Sequence, residues 1–301
     1  MSKSSSPRAL LLRSMLFLPG NNDRMIAKAF SSDADAVILD LEDALAISEK
    51  PAGRENLTKV LQQPMAKTTF VRVNALTTEH CYKDIQAVVS ANLTGIVLPK
   101  LEAPHELQTI DWFMSQLEAE RGLPPSSIEI MPIIETAKGL ASVNAIATAS
   151  PRLRRLAFGM VDLAADMRLD LNDDVGAIQH ARFAVAVASR AANLHGPIDT
   201  AFVDIQNLDR LRASTTQARA MGFGGKCCIH PNQIAVVNDV FSPSVTELER
   251  ARKIVAAFEI AEASGSAAVM IDGMMIDYPV VAWAQQVLTA QTMIDDSRAA
   301  A

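Results

Sequence analysis

Cysteine is scarce: three in 301 residues, at Cys81, Cys227 and Cys228. None stands in a CxxC or Cys/His spacing, which excludes a disulfide framework and a cysteine-ligated zinc site. An excess of positive charge is also missing. The 28 Lys and Arg are outnumbered by 34 Asp and Glu, for a net charge of -6. A nucleic acid partner needs a basic face, so none is expected. No apolar run is long enough to span a bilayer. The N-terminal stretch MSKSSSPRALLLRSMLFLPG is interrupted by Arg13 and has no A-x-A cleavage pattern, which argues against a signal peptide. The expectation is a cytoplasmic protein without membrane contact, with residues 1–10 as a disordered tail. The glycine-rich G-x-G-x-x-G turn of dinucleotide-binding sheets is absent too.

What the chain does have is a regular alternation. At 49% hydrophobic it has ample material for a large core. Short, continuous apolar runs recur at 14–19, 36–41, 70–74, 95–99, 128–134, 156–158, 200–203 and 226–230. Continuous rather than alternating hydrophobicity fits strands buried on both faces, as in parallel sheets. Amphipathic segments separate them, at 22–30, 48–61, 80–91, 104–121, 137–149, 175–194, 208–221 and 233–240. A βα unit repeated about eight times predicts a closed (β/α)8 TIM barrel, over residues 11–242. A doubly wound open sheet is the alternative. Residues 243–301 exceed a barrel's needs. They read as a charged helix, a hairpin turning at Asp272-Gly273, and a last helix. This helical and hairpin extension needs the barrel or a neighbouring subunit to pack on.

In such a barrel the active site lies at the carboxyl ends of the strands. Read in order, that edge collects Asp40, Glu42 and Asp43, then Arg72 and Asn74, then Pro99 and Lys100, then Glu135, Asp162 and His230. Glu135 closes one apolar run, and Asp162 follows the next, just past Gly159. If those runs are neighbouring parallel strands, both carboxylates emerge at one edge. Two convergent carboxylates suit Mg2+, with Mn2+ as the other ion, because magnesium takes one or two carboxylates and leaves its other positions to water and substrate oxygens. Salt bridges to Arg72 or Lys100 are the bland alternative. Arg72 offers a planar, bidentate donor to a carboxylate or enolate oxygen, or a structural partner to Asp40 or Glu42. Asp40, Glu42, Asp43, Asn74 and His230 are expected to orient the ligands from behind. Arg24 and Lys28 fall on one face of the first helix, where a phosphate-bearing ligand or plain solvent is equally consistent.

Eight stretches occur in a familiar order: RSMLFLPGNNDRMIAKA, AVILDLEDALAISEK, FVRVNAL, VLPK, PIIETAKGL, FGMVDLAADM, GFGGKCCIHPNQI and GMMIDYPVV. Together they resemble the citrate lyase beta subunit-like enzymes of the HpcH/HpaI aldolase superfamily, from about Arg13 to the last helix. The resemblance implies a Mg2+-dependent carbon–carbon lyase. It would cleave a 3-hydroxyacyl-CoA thioester of citramalyl, malyl or citryl type into acetyl-CoA and a 2-keto acid. It implies Glu135 and Asp162 as metal ligands and Arg72 on the substrate oxygen. Arg13, Arg24, Lys28, Pro99 and Lys100 would line the substrate and coenzyme A path. Asp277, in the GMMIDYP stretch, would be the acid/base supplied to a neighbouring subunit's site, with Asp272 as its weaker competitor. A trimer or hexamer follows from that arrangement. Val161 departs from the acidic residue many relatives carry before the metal aspartate, which bears on the substrate. A malyl-CoA thioesterase, a malate synthase-like condensing enzyme, a citrate lyase subunit acting on a carrier-protein thioester, and a non-catalytic subunit are the alternatives.

Overall fold

A computed structural model describes residues 10–170 and 176–299. Eight parallel strands close a barrel in sequence order. They are β1 (Ser14–Pro19), β2 (Ala36–Asp40), β3 (Thr68–Arg72), β4 (Gly95–Leu98), β5 (Glu129–Ile134), β6 (Ala157–Phe158), β7 (Ile198–Asp199) and β8 (Gly225–Cys228). The helices between them are α1 (Asp23–Phe30), α2 (Lys50–Val60), α3 (Cys81–Val88), α4 (Pro104–Glu120), α5 (Ala137–Ala141), α6 (Val143–Ile146), α7 (Met160–Met167), α8 (Ala177–Ala191) and α9 (Leu208–Ala220). α10 (Asn232–Phe241) follows β8. The strands are buried almost throughout, β2 and β5 along their whole length, which is why their sequences read as unbroken apolar runs.

Closure is uneven. β1 and β2 share five register pairs, whereas β6 and β7 share one, Ala157 with Ile198. Buried charge reinforces the thin side. Asp199 on β7 is the register partner of Lys226 on β8 and accepts from its Nζ at 2.5 Å. Arg182 of α8 donates to the other Asp199 oxygen at 2.9 Å. Burial opposes ionisation of Asp199, but Lys226 and Arg182 outweigh it and hold its pKa below the usual carboxylate range. A second network ties Arg152 to Asp111 and Glu118 of α4. Each of these charges has an ion-pair partner, although Arg182 Nη1 is buried without a hydrogen bond.

The chain divides into two compact units, the barrel at Leu12–Asn238 and a second unit that takes in residues 239–299. The second unit holds α11 (Val245–Ala263), a two-stranded antiparallel pair of β9 (Val269–Ile271) and β10 (Met274–Ile276), and α12 (Tyr278–Ala299). Its own core joins Ile254 and Phe258 of α11 to Ile271, Ile276, Ala284 and Val287. The hairpin turns at Asp272 and Gly273, both left-handed (φ +50° and +76°), as the Asp-Gly pair in the sequence requires. Ser244 caps α11 reciprocally with Glu247. No helix among the described residues is long and apolar enough to cross a membrane. The expected tail lies, except for Leu10, outside the described residues.

Candidate active site

Strand order places the candidate residues. β5 and β6 are direct neighbours, so Glu135, the residue after β5, and Gly159, the residue after β6, leave the barrel at the same edge. Asp162 does not stand on the strand end itself. It sits in the first turn of α7, a helix the apolar runs alone did not reveal. Its signal was present in Met160, Leu163, Ala164 and Met167, spaced at helical intervals. α7 starts at Met160, whose N–H is taken by Thr200 Oγ1 at 3.0 Å.

Glu135 is buried, with 3% of its surface exposed. Burial, then the neighbouring Asp162 and Glu42 carboxylates, push its pKa up to about 8, against the Lys100 N–H that favours the anion. Lys100 N donates to Glu135 Oε1 at 2.8 Å. Gly159 packs against the other side. A Cβ there would stand 2.4 Å from Glu135 Oε2, so no side chain is admitted. A buried carboxylate crowded by two others is a site short of positive charge. Its donors are all oxygens, and Asp162 opens partly to solvent. These residues fit a hard divalent cation that keeps waters or substrate oxygens in its remaining positions. Among the described residues no cluster of three or more His, Cys, Asp and Glu forms a preassembled cage.

Arg72 and Lys100 bring cations to the same mouth. Arg72 donates from Nε and Nη2 to the two oxygens of Asp40, at 2.7 and 2.6 Å. Its Nη1 lies 3.0 Å from Glu42 and 3.3 Å from Asp43, and the guanidinium stacks 4.9 Å from the Phe17 ring centroid. Burial disfavours its charge, but Asp40 and then Glu42 and Asp43 prevail and raise the pKa. Glu42 Oε2 is at ion-pair distance from Arg72 yet has no aligned hydrogen bond. Burial raises the Glu42 pKa against Arg72. Lys100 Nζ lies 3.3 Å from Glu42 and 3.2 Å from Asp162. Burial acts against its ammonium, but Glu42 and Asp162 outweigh that and raise its pKa. A protonated lysine is a poor nucleophile, which argues against a Schiff-base role.

Asp40 also accepts from Glu42 N and Ala44 N, at 2.9 and 3.0 Å. It therefore fixes the turn that presents Glu42. Asn74 supports the same turn from below. Its Nδ2 donates to Leu41 O, and it accepts from Lys50, whose ammonium also caps Glu42 O at 2.9 Å. Both residues act through the backbone of Leu41 and Glu42.

Other expected residues lie elsewhere. Arg13 precedes β1 and so stands at the amino-terminal edge of the barrel, paired with Asp35 through two side-chain bonds of 2.9 and 2.8 Å. That placement corrects the expectation that it grips phosphate at the site. His230 is exposed and engaged by Asn232 Oδ1 at 2.7 Å, so it orders the start of α10 rather than the carboxylates. Pro99 is buried, directly before Lys100. Arg24 and Lys28 are exposed on α1, but its N-terminus is already occupied by the Asn22 side chain and by Asp23. Asp277 belongs to the second unit, between β10 and α12. Asp272 is held by Lys253 at 2.6 Å.

The sequence profile of the HpcH/HpaI aldolase/citrate lyase family matches residues 13–231. The citrate lyase beta subunit of Leuconostoc mesenteroides subsp. cremoris is 34% identical, over 92% of this chain and 92% of its own. The mitochondrial citramalyl-CoA lyase of Rattus norvegicus is 32% identical, over 98% of this chain and 90% of its own. Protein CitE from Mycobacterium tuberculosis, in complex with magnesium, acetoacetate and coenzyme A, superposes with a TM-score of 0.77 at 30% identity, over 92% of this chain and 97% of that one. The strand-end constellation and these matches agree, and the chain belongs to the HpcH/HpaI aldolase/citrate lyase family.

Proposed function

We propose that the chain is a Mg2+-dependent carbon–carbon lyase that cleaves a 3-hydroxyacyl-CoA thioester into acetyl-CoA and a 2-keto acid. Citramalyl-, malyl- and citryl-CoA are the substrate class. The observation that carries this reading is the meeting of Glu42, Glu135, Asp162, Arg72 and Lys100 at one strand-end mouth. Similarity to a citramalyl-CoA lyase, and to a CitE whose structure holds magnesium and coenzyme A, supports it.

Glu135 and Asp162 are the residues that would hold the ion. Bound there, Mg2+ (or Mn2+) supplies Lewis acidity to the substrate's hydroxyl and carboxylate. The chain's residues account for the rest of a retro-Claisen cleavage. As Asp277 takes the hydroxyl proton, the carbon–carbon bond breaks and its electron pair passes to the acetyl thioester as an enolate. Arg72, locked by Asp40, holds its guanidinium at the mouth, where the enolate oxygen gathers charge. Asp277 then delivers a proton to the enolate carbon, from a neighbouring copy of the chain in a homo-oligomer. Arg24, in the first turn of α1, and Lys28, in its last turn, are both exposed and are suited to the coenzyme A phosphates.

The relation to a citrate lyase beta subunit favours one variant, the same cleavage on a carrier-protein thioester. A panel of hydroxyacyl-CoA thioesters, assayed with and without EDTA, tests the proposal. Cleavage gives a keto acid plus acetyl-CoA. Release of a hydroxy diacid and free thiol would instead show a thioesterase, and no turnover of any CoA ester would favour the carrier-protein substrate.

A further inference from the structure

One residue touches all three carboxylates of the site. Lys100 gives its backbone N–H to Glu135 Oε1 at 2.8 Å and sets its ammonium between Glu42 Oε1 and Asp162 Oδ1, at 3.3 and 3.2 Å. To do both, its backbone takes a left-handed conformation, φ +52°, which L-residues other than glycine, asparagine and aspartate rarely adopt. Strained backbone of this kind persists where the surroundings over-determine it. The ammonium is tethered differently from the N–H. It ends a flexible four-carbon stem, and the side chain is 38% exposed, so it has room to leave.

We infer that Lys100 is a displaceable internal counter-ion, which gathers Glu42, Glu135 and Asp162 into one set and competes with a divalent ion for their charge. This rests on the metal-site reading given above. The backbone bond holds Glu135 in place regardless of the side chain. The ammonium neutralises part of the charge that attracts the ion. When a doubly charged ion enters, repulsion turns the ammonium outward, toward the substrate side of the mouth, where it can meet an anionic group of the substrate. Lys100 is thus a positioning residue that sets the threshold for metal loading. Arg72 cannot take this part, because Asp40 binds it at two points on a short, fixed arrangement.

The test is Mn2+ binding by titration calorimetry on the wild type and on Lys100→Met, Lys100→Arg and Glu135→Gln, with thermal melts recorded with and without Mn2+. Removing a unit charge a few ångströms from a divalent ion should tighten binding by about tenfold. Lys100→Met is therefore expected to bind Mn2+ more tightly, to melt lower without the ion, and to regain that loss when it is added. Lys100→Arg should keep the wild-type affinity. Lys100→Gln gives the same comparison if Lys100→Met does not fold. Equal or weaker binding by the neutral variants, with Glu135→Gln impaired, overturns the lysine inference alone. No binding by either the wild type or the neutral variants overturns the metal site as well.

Discussion

Asp40 and Arg72 are register partners at the ends of β2 and β3, and their side chains meet at two points, 2.7 and 2.6 Å apart. The same aspartate holds the turn that carries Glu42. One carboxylate thus aims the cation and places the acidic loop opposite it.

Arg72→Lys should therefore cost more than a charge-conserving change suggests. Lysine cannot reproduce the two-point pairing, so its ammonium is no longer aimed at the mouth. Steady-state kinetics should show kcat down by about a hundredfold, as for loss of one preorganised oxyanion donor. Near wild-type kcat would remove Arg72 from the chemistry.

Asp277→Asn should leave Mn2+ affinity unchanged and lower turnover by about a hundredfold or more, on the scale of general acid catalysis. Asp272→Asn is the matched control, since Asp272 is engaged by Lys253 on the hairpin turn. Equal turnover in the two variants would refute the assignment.

Gly159→Ala is predicted to disturb the proposed metal site without replacing a ligand. The new methyl would meet Glu135 Oε2 at 2.4 Å and Glu135 Cβ at 2.6 Å. Overpacking of this kind costs about 1–3 kcal/mol, and here the group that must move is the proposed ligand. Melts and Mn2+ titrations should show lower Tm and weaker binding together. Unchanged Mn2+ affinity would show that Glu135 can yield without leaving the site.

Acid stability should follow Asp199 and Glu118. Burial opposes both anions, but Lys226 with Arg182, and Arg152, overcome it, so both pKa values are lowered in the folded chain. A lowered pKa contributes stability above the unfolded value, about 4, and that contribution is lost as pH falls through the folded value. Tm should hold from neutrality to about pH 5 as far as these groups decide it, then fall. Asp199→Asn should shrink the acid limb and cost about 3–5 kcal/mol at neutral pH, by stranding Lys226 and Arg182. A pH profile identical to the wild type would place the acid limb elsewhere.

The barrel was legible because its strands are buried on both sides: β1 was bounded correctly by its apolar run alone. β7 was not. The run at 200–203 lies just beyond it, because a two-residue strand leaves too little pattern to read and its Asp199 interrupts the hydrophobicity. Glu135 stood out as a polar residue ending an apolar run, Asp162 as one following a run just past Gly159, and Arg72 as one interrupting a run. Arg13 was misplaced because its role came from the resemblance, although its position just before the run at 14–19 already put it at the amino-terminal edge. A Lys100 salt bridge was foreseen, but the bond from its backbone to Glu135 was not, because it goes with a left-handed backbone at a residue with no local preference for one.

The uneven strand lengths reach into the site itself. Glu135 hangs from β5, whose six residues are pinned by ladders on both sides. Asp162 hangs from the turn after β6, which has two residues and a single pairing to β7. The two halves of the carboxylate pair therefore differ in compliance. Glu135 is the anvil, set by a stiff wall, and Asp162 is the jaw, on the side where the barrel gives most easily. If the pair holds an ion as proposed, only the Asp162 side of the grip would have to move to admit or release what the ion carries.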